Sequence, residues 1–250
     1  MGIFTNKITK TKLEIADRYL ANSFHLETKK VSDAELAKTP FRYDIINFLI
    51  GTFDREITYL EIGVRVPAHN FDKINAHKKY SVDPGIEREH NPVDFPVTSD
   101  AFFGSLDAGE ILSKDIQFDV IFIDGLHLAE QVEKDIQNSL KYLSDDGFIV
   151  MHDCNPPSES HARETFEYLL SPAGSQWNGT TWKAFLKTRM RNDLFSCCVD
   201  TDWGVGIISK KINFGLTTTV KNEFYEYEIL KNNRKNALNL ISFDALKNFF

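Results

Sequence analysis

Apolar residues along the chain gather into short runs separated by polar turns and by segments with helical spacing. TYLEIG (Thr58 to Gly63), KYSVDPG (Lys79 to Gly85) and FDVIFID (Phe118 to Asp124) read as strands, the second stopped by Pro84-Gly85. FIVM (Phe148 to Met151), DLFSCCVD and TDWGVGIIS read the same way, and a very short strand is expected near Val93 to Val97. Between them the spacing predicts helices. Leu13, Ile15, Ala16, Tyr19 and Leu20 fit one, Tyr43 to Leu49 a second, and Asn70 to Ala76 a third. TSDAFF is a capped helix start, with Thr98 or Ser99 as the cap. Leu128, Val132, Ile136, Leu140 and Leu143 share one helical face, and Ser144 to Gly147 is expected to turn the chain into the next strand. A further helix is expected over Thr181 to Lys187, and an amphipathic helical tail from Val220 onward.

Strands that alternate with helices imply right-handed crossovers and a parallel sheet covered on both faces. The fold class expected is therefore α/β: a Rossmann-like, doubly wound, mostly parallel seven-stranded sheet. Its last two strands form an antiparallel hairpin, and helical additions stand at both ends. The corresponding division is 1–56 as helical lead-in, 57–212 as the main domain and 213–250 as a helical extension. Ligands of open α/β sheets sit outside the carboxyl ends of the strands. Glu61, Asp83, Asp124 and Asp153 all fall at such ends. One such acid is ordinarily a helix cap; four together point to a functional edge.

Composition narrows the partners. A net charge of −7 argues against a nucleic-acid surface, and no stretch approaches the length of a membrane span. Three cysteines, with no CxxC and with Cys197 and Cys198 adjacent and therefore on opposite strand faces, suit a reducing cytoplasm. Leu238, Ile241, Leu246, Phe249 and Phe250 keep the tail apolar. The tail is expected to dock on its own domain or on a second subunit, with a homodimer favoured.

Glu61 and Asp83 end adjacent strands. A dinucleotide site also places an acid about 20 residues after its first turn, where it holds ribose hydroxyls. EIGVRVPAHN lacks the remaining glycines of that fingerprint, and Glu61 would repel a phosphate, which disfavours a nicotinamide-dependent oxidoreductase. A ligand with a ribose, no phosphate and a positive centre fits better. S-adenosylmethionine is such a ligand.

The series EIG, VDPG, TSDAFF, FDVIFIDGLHLAEQ, GFIVMHDCNPP and WNGTTWK resembles the class I S-adenosylmethionine-dependent methyltransferases. The branch it is most similar to is the bacterial one that includes macrocin-type sugar O-methyltransferases. The resemblance runs from about Tyr59 to Ile208. It implies Glu61 and Gly63 at the methionine end of the cofactor, Asp83 on the ribose, and Ser99 and Asp100 near the adenine. The first motif departs from the family at VRVPAHN, where Asn70 is the candidate polar contact.

Methyl transfer is a direct displacement, so the acceptor hydroxyl must be aligned and activated, and a divalent cation such as Mg2+ serves that end. The resemblance implies Asp124 and Asp153 as its ligands. Cys154 stands where related enzymes carry an amide, and Asn155, one place later, is the candidate substitute. His127 is the candidate general base, acting with Asp124, since an unperturbed imidazole titrates near neutrality. His152 is expected to orient Asp153 or the acceptor. A zinc centre is the poorer reading, because the consecutive His152, Asp153 and Cys154 cannot all converge. Trp177, Trp182, Asp200 and Asp202 are candidate acceptor contacts, the tryptophans being more readily core anchors. The acceptor expected is a sugar, glycan or natural-product hydroxyl. The alternative is a non-catalytic nucleotide- or partner-binding module on the same fold.

Overall fold

The structure, a computed structural model, describes residues 2–88, 91–215 and 217–250, the first six side chains excepted. Three helices lead in: α1 (Gly2–Leu20), α2 (Ser23–Leu36) and α3 (Arg42–Ile50). The sheet then follows as β1 (Thr58–Ile62), β2 (Lys78–Val82), β3 (Phe118–Ile123), β4 (Leu143–Met151), β5 (Phe195–Val199) and β6 (Val205–Ser209). Helices α4 (Ser99–Ala108), α5 (Ala129–Tyr142) and α6 (Thr181–Arg189) connect them. The tail contributes α7 (Tyr227–Leu238), β7 (Leu240–Ile241) and α8 (Phe243–Lys247).

The strand order is β2-β1-β3-β4-β6-β5-β7. β2, β1, β3 and β4 are parallel, β6 runs antiparallel between β4 and β5, and β7 is parallel to β5. This is the Rossmann-like α/β sheet expected, with its antiparallel hairpin. Side chains alternate with the two-residue period of a strand. Leu60, Ile62, Ile121, Ile123, Ile149 and Met151 enter the core under α4 to α7. Tyr59, Val120, Phe122, Phe148 and Val150 enter the core under α3 and α8. Cys198 and Cys197 divide in the same way between the two faces.

Four local expectations are corrected. Asn70 to Ala76 is not an α-helix: two 3-10 turns, Pro67–His69 and Phe71–Lys73, carry the chain from β1 to β2. Pro67 starts the first turn, and Asn70, with φ −139° and ψ −61°, interrupts any continuous helix. Val93 to Val97 makes only the single bridge Val82↔Phe95, so the seventh strand is β7 instead. Ser144 to Gly147 does not turn away from the sheet but lies within β4, where the pairing with β3 shifts register between Phe118 and Val120. A Cβ at Gly147 would stand 2.7 Å from Asp119 O, so the residue without one permits this close approach. The tail is likewise not all helical, since β7 extends the sheet through Cys198↔Leu240 and Val199↔Ile241.

The tail docks on its own domain. Leu238 and Leu246 are fully buried, and Phe250 packs edge-on against Phe48 and Phe148. α3 belongs to the same core through Ile45, Ile46 and Leu49, each 0% exposed. By contrast Ile8, Leu13, Ile15 and Leu20 of α1 remain exposed. Among the described residues no helix is long and apolar enough to cross a membrane.

Candidate active site

The carboxyl edge of the sheet carries two adjoining clusters. In the first, Glu61 is buried within β1. Its Oε2 accepts hydrogen bonds from Tyr59 Oη at 2.6 Å and Asn70 Nδ2 at 2.8 Å. Burial pushes this carboxyl up to about 7, against the two hydrogen bonds that favour its charged form. Asn70 is itself buried, and its Oδ1 has no partner. At the end of β1, Gly63 has φ +93° and lies against the backbone of Asp124 and Gly125. Asp83, following β2, accepts from Gly85 N at 2.7 Å and Asn91 Nδ2 at 2.8 Å, and Asn91 Nδ2 also reaches Val64 O at 3.0 Å.

Thr98 is the cap of α4, accepting from Ala101 N at 3.3 Å. Ser99 and Asp100 are joined to α5 by Gln131. Its Nε2 donates to Ser99 Oγ at 3.2 Å, Asp100 Oδ1 at 3.1 Å and Asp135 Oδ1 at 3.1 Å. Burial pushes Asp135 up to about 6.

The second cluster lies past β3 and β4. His127, just ahead of α5, has Nδ1 2.8 Å from Trp177 O and 3.3 Å from Asp153 Oδ2, and Nε2 3.5 Å from Asp124 Oδ1. Trp177 stacks on the His127 ring with centroids 5.3 Å apart. His152 Nδ1 is 3.2 Å from Asp124 Oδ1 and 3.1 Å from Asp153 Oδ2, and its Nε2 is 3.3 Å from Asp202 Oδ1. Asn178, fully buried, donates through Nδ2 to Asp153 Oδ1 at 2.8 Å. Arg42 reaches in from α3, its Nε 3.6 Å from Asp124 Oδ2 and its Nη1 3.1 Å from Asp202 Oδ2.

Burial alone would discharge these groups, and their mutual attraction overrides it. For His127 burial favours the neutral ring, but Asp153 and Asp124 raise it to about 9. His152 is likewise held well above its ordinary value by Asp153 and Asp124, against burial and Arg42. Asp124 is held well below the carboxylate range, where His152, His127 and Arg42 outweigh its burial. Asp202 falls to about 2, burial being outweighed by His152 and Arg42. His127 in this ligand-free arrangement therefore carries its proton at neutral pH, unlike the unperturbed imidazole expected from sequence.

Asn155 does not join Asp124 and Asp153. Its Oδ1 accepts from Arg234 Nη1, and its Nδ2 donates to Asp200 Oδ1 at 3.2 Å. Among the described residues the group whose donor atoms converge within 4.8 Å is Asp124, His152 and Asp153. Cys154 Sγ turns back toward His152 O and Met151 O. Trp182 is a core residue, 1% exposed, as its anchor reading expected. Sequence reasoning missed Arg42, Gln131 and the hold of Asn178 on Asp153. Arg42 carries no local signal, because its role depends on where α3 lands.

Residues 96–154 match a family model described as a methyltransferase domain. This segment is similar to a methyltransferase domain. It includes Ser99, Asp100, Asp124, His127, His152 and Asp153. Among solved structures, an O-methyltransferase from Bacillus cereus in complex with SAH is 14% identical, with a TM-score of 0.40 over 78% of this chain and 95% of that one. The plantazolicin methyltransferase BpumL in complex with SAH is 16% identical, with a TM-score of 0.44 over 99% and 95%. Curated protein sequences give no match.

The raised Glu61 carboxyl makes a checkable demand on stability. Its shift runs from an ordinary 4.5 to about 7. The stabilisation from a neutral Glu61 is therefore complete below pH 4.5 and lost as pH rises through 7. Over that window the ligand-free protein is expected to lose about 3 kcal/mol through this residue. Thermal melts of the wild type and of Glu61→Gln should diverge between pH 5 and 8, the variant being the flatter. Parallel pH curves would remove Glu61 as their cause.

Proposed function

We propose that this chain is an S-adenosylmethionine-dependent methyltransferase that methylates a hydroxyl of a sugar, glycan or natural-product acceptor, with a divalent cation at the acceptor. The observation that carries this reading is the adjacency of the two clusters. Gly63, at the cofactor end, touches the backbone of Asp124, at the acceptor end.

Glu61 and Asn70 would face the methionine end, Asp83 would take the ribose hydroxyls, and Ser99 and Asp100 would border the adenine. Glu61, neutral at the start of its titration range, gains a reason to ionise when a sulfonium approaches. In the transfer the carbon–sulfur bond of the sulfonium breaks as the acceptor oxygen bonds to the methyl carbon. The donor leaves as a neutral thioether, and the acceptor loses its proton. A cation on Asp124 and Asp153 would offset the two charges that keep His127 protonated, and the neutral ring, fixed by Trp177 O through Nδ1, would offer Nε2 on the Asp124 side to receive that proton.

A divalent cation suits the second cluster on charge grounds. Once His127 and His152 give up their protons, Asp124, Asp153 and Asp202 are three acids around one permanent cation, Arg42, and a divalent ion would take the place of the two protons. Asp124 and Asp153 would hold the cation, which would supply Lewis acidity to the acceptor hydroxyl.

The cofactor half is tested by calorimetry with S-adenosylhomocysteine. Asp83→Ala is expected to weaken binding by about 1.5–3 kcal/mol, the scale of hydrogen bonds to a charged acceptor. Unchanged affinity in a folded variant would take Asp83 out of the site. NAD+ binding in place of S-adenosylhomocysteine would overturn the methyltransferase reading.

A further inference from the structure

We propose that His152 is the third protein ligand of the cation held by Asp124 and Asp153, and that the site is built for a transition ion of the Mn2+ and Fe2+ class rather than for Mg2+. This rests on the divalent-cation reading above and adds to it a ligand and a metal class.

The spacing of the donor atoms carries the inference. His152 Nδ1 sits 3.2 Å from Asp124 Oδ1 and 3.1 Å from Asp153 Oδ2. A charge-assisted hydrogen bond between an imidazolium and a carboxylate closes to about 2.7–2.9 Å. Neighbouring ligands of an octahedral ion with bonds of about 2.1 Å stand roughly 3.0 Å apart. Both separations lie close to that edge, the three donor atoms converge within 4.8 Å, and without an ion the 3.1 Å contact is a hydrogen bond to Asp153. One ring nitrogen thus faces two carboxylates at the spacing that neighbouring ligands of a shared ion adopt.

The other face of the ring is supported as a ligating imidazole requires. A metal-bound histidine commonly donates its second N–H to a carboxylate, which fixes the tautomer and the ring plane. Asp202 Oδ1 stands 3.3 Å from Nε2. Asp202 is itself held by Arg42, whose backbone N donates to Oδ2 at 2.8 Å and whose Nη1 donates at 3.1 Å. Arg42 Nη1 stands at hydrogen-bond distance from both His152 Nε2, at 3.3 Å, and Asp202; with an ion on Nδ1 the Nε2–H would turn to Asp202 and Nη1 would keep its two contacts to that carboxylate.

The loop that presents Asp202 is built for the purpose. Asp202, Trp203 and Gly204 have φ of 44°, 64° and 89° in succession. A Cβ on Gly204 would lie 2.4 Å from Asn155 N. His152 and Asp153 are consecutive, and the left-handed backbone of Asp153, φ 60°, lets both side chains turn to the same point while Cys154 turns away.

The nitrogen decides the metal class. Mg2+ favours oxygen donors and keeps its water, whereas affinity for mixed nitrogen and oxygen sites rises along the first transition row from Mn2+ to Fe2+ and beyond. With two carboxylates and one imidazole, Mn2+ is expected to bind at least tenfold more tightly than Mg2+.

The test reads the metal directly. Calorimetric titration of the full chain with MnCl2 and MgCl2 gives the preference, and pulsed electron paramagnetic resonance of bound Mn2+ detects a coordinated nitrogen through its coupling. The wild type should show that coupling. His152→Ala should lose the coupling and the preference, while His127→Ala should keep both. His152→Asp, an all-oxygen set, should bring Mg2+ level with Mn2+. Asp202→Asn should weaken Mn2+ by about 10–100-fold. S-adenosylhomocysteine affinity and circular dichroism confirm that each variant is folded. A wild type that binds Mg2+ and Mn2+ alike, with no nitrogen coupling, overturns the inference and leaves the cation reading standing. A wild type that binds neither ion overturns both.

Discussion

Asp153→Asn is expected to reduce turnover roughly 10³-fold, the scale of removing an electrostatic group aimed at a reacting centre. S-adenosylhomocysteine affinity should stay within about threefold of the wild type. Asp153 is 5% exposed, accepts from Asn178, and faces both His127 and His152. Neutralising it removes half of the carboxylate pair that would hold the cation and one of the two acids that face each histidine. Glu61 in β1, Asp83 just past β2 and Ser99 in α4, assigned to the cofactor, make no hydrogen bond to Asp153. Single-turnover kinetics together with calorimetry separate the two effects. A variant that loses cofactor affinity in proportion to turnover would mean that Asp153 organises the whole edge rather than the acceptor side.

Gly63→Ala is expected to cost roughly 2–6 kcal/mol of stability, combining left-handed strain with overpacking. The glycine has φ +93°, and an added Cβ would lie 2.2 Å from Asp124 O and 2.5 Å from Gly125 Cα. These atoms are backbone and have no rotamer to adopt. Relief would require the end of β1 to part from the end of β3, where Asp124 N donates to Ile62 O at 2.9 Å. Chemical denaturation measures the loss. A change below about 1 kcal/mol would show that this junction gives way easily, and the contact could no longer be what joins the two clusters.

How much of this was legible beforehand divides by physical cause. The inner strands of the parallel half were readable because they are buried on both faces and so appear as apolar runs such as FDVIFID, whereas the edge strand β2 was marked by the Pro84-Gly85 stop that follows it. The segment between β1 and β2 was not, because Phe71, Ile74 and Ala76 keep a helical spacing that Pro67 and the backbone of Asn70 override. β7 is two residues long, too short for any period to register, and exists because Cys198 and Val199 offer it an open edge. At the site, the acids were visible as ionisable groups ending apolar strands. The resemblance offers Asn155 as a substitute for the amide that related enzymes carry at the Cys154 position, but past the left-handed Asp153 the Asn155 side chain goes to Arg234 and Asp200 instead. Arg42 and Asp202 meet across the fold at 3.1 Å, a contact of long sequence separation that no local pattern encodes. The lead-in drawn as 1–56 conceals a division of its own: α3 is core, and α1 is not.

Cys154, Cys197 and Cys198 are each 0% exposed, and burial raises the thiol of every one. To a maleimide or nitroxide reagent the folded chain thus behaves as though it had no native thiol. A single cysteine introduced at an exposed position of α1, such as Lys10 or Glu14, would be the sole point of attachment for a fluorophore or spin label. Motion of that helix relative to the sheet can then be followed without first stripping the native sulfur from the core.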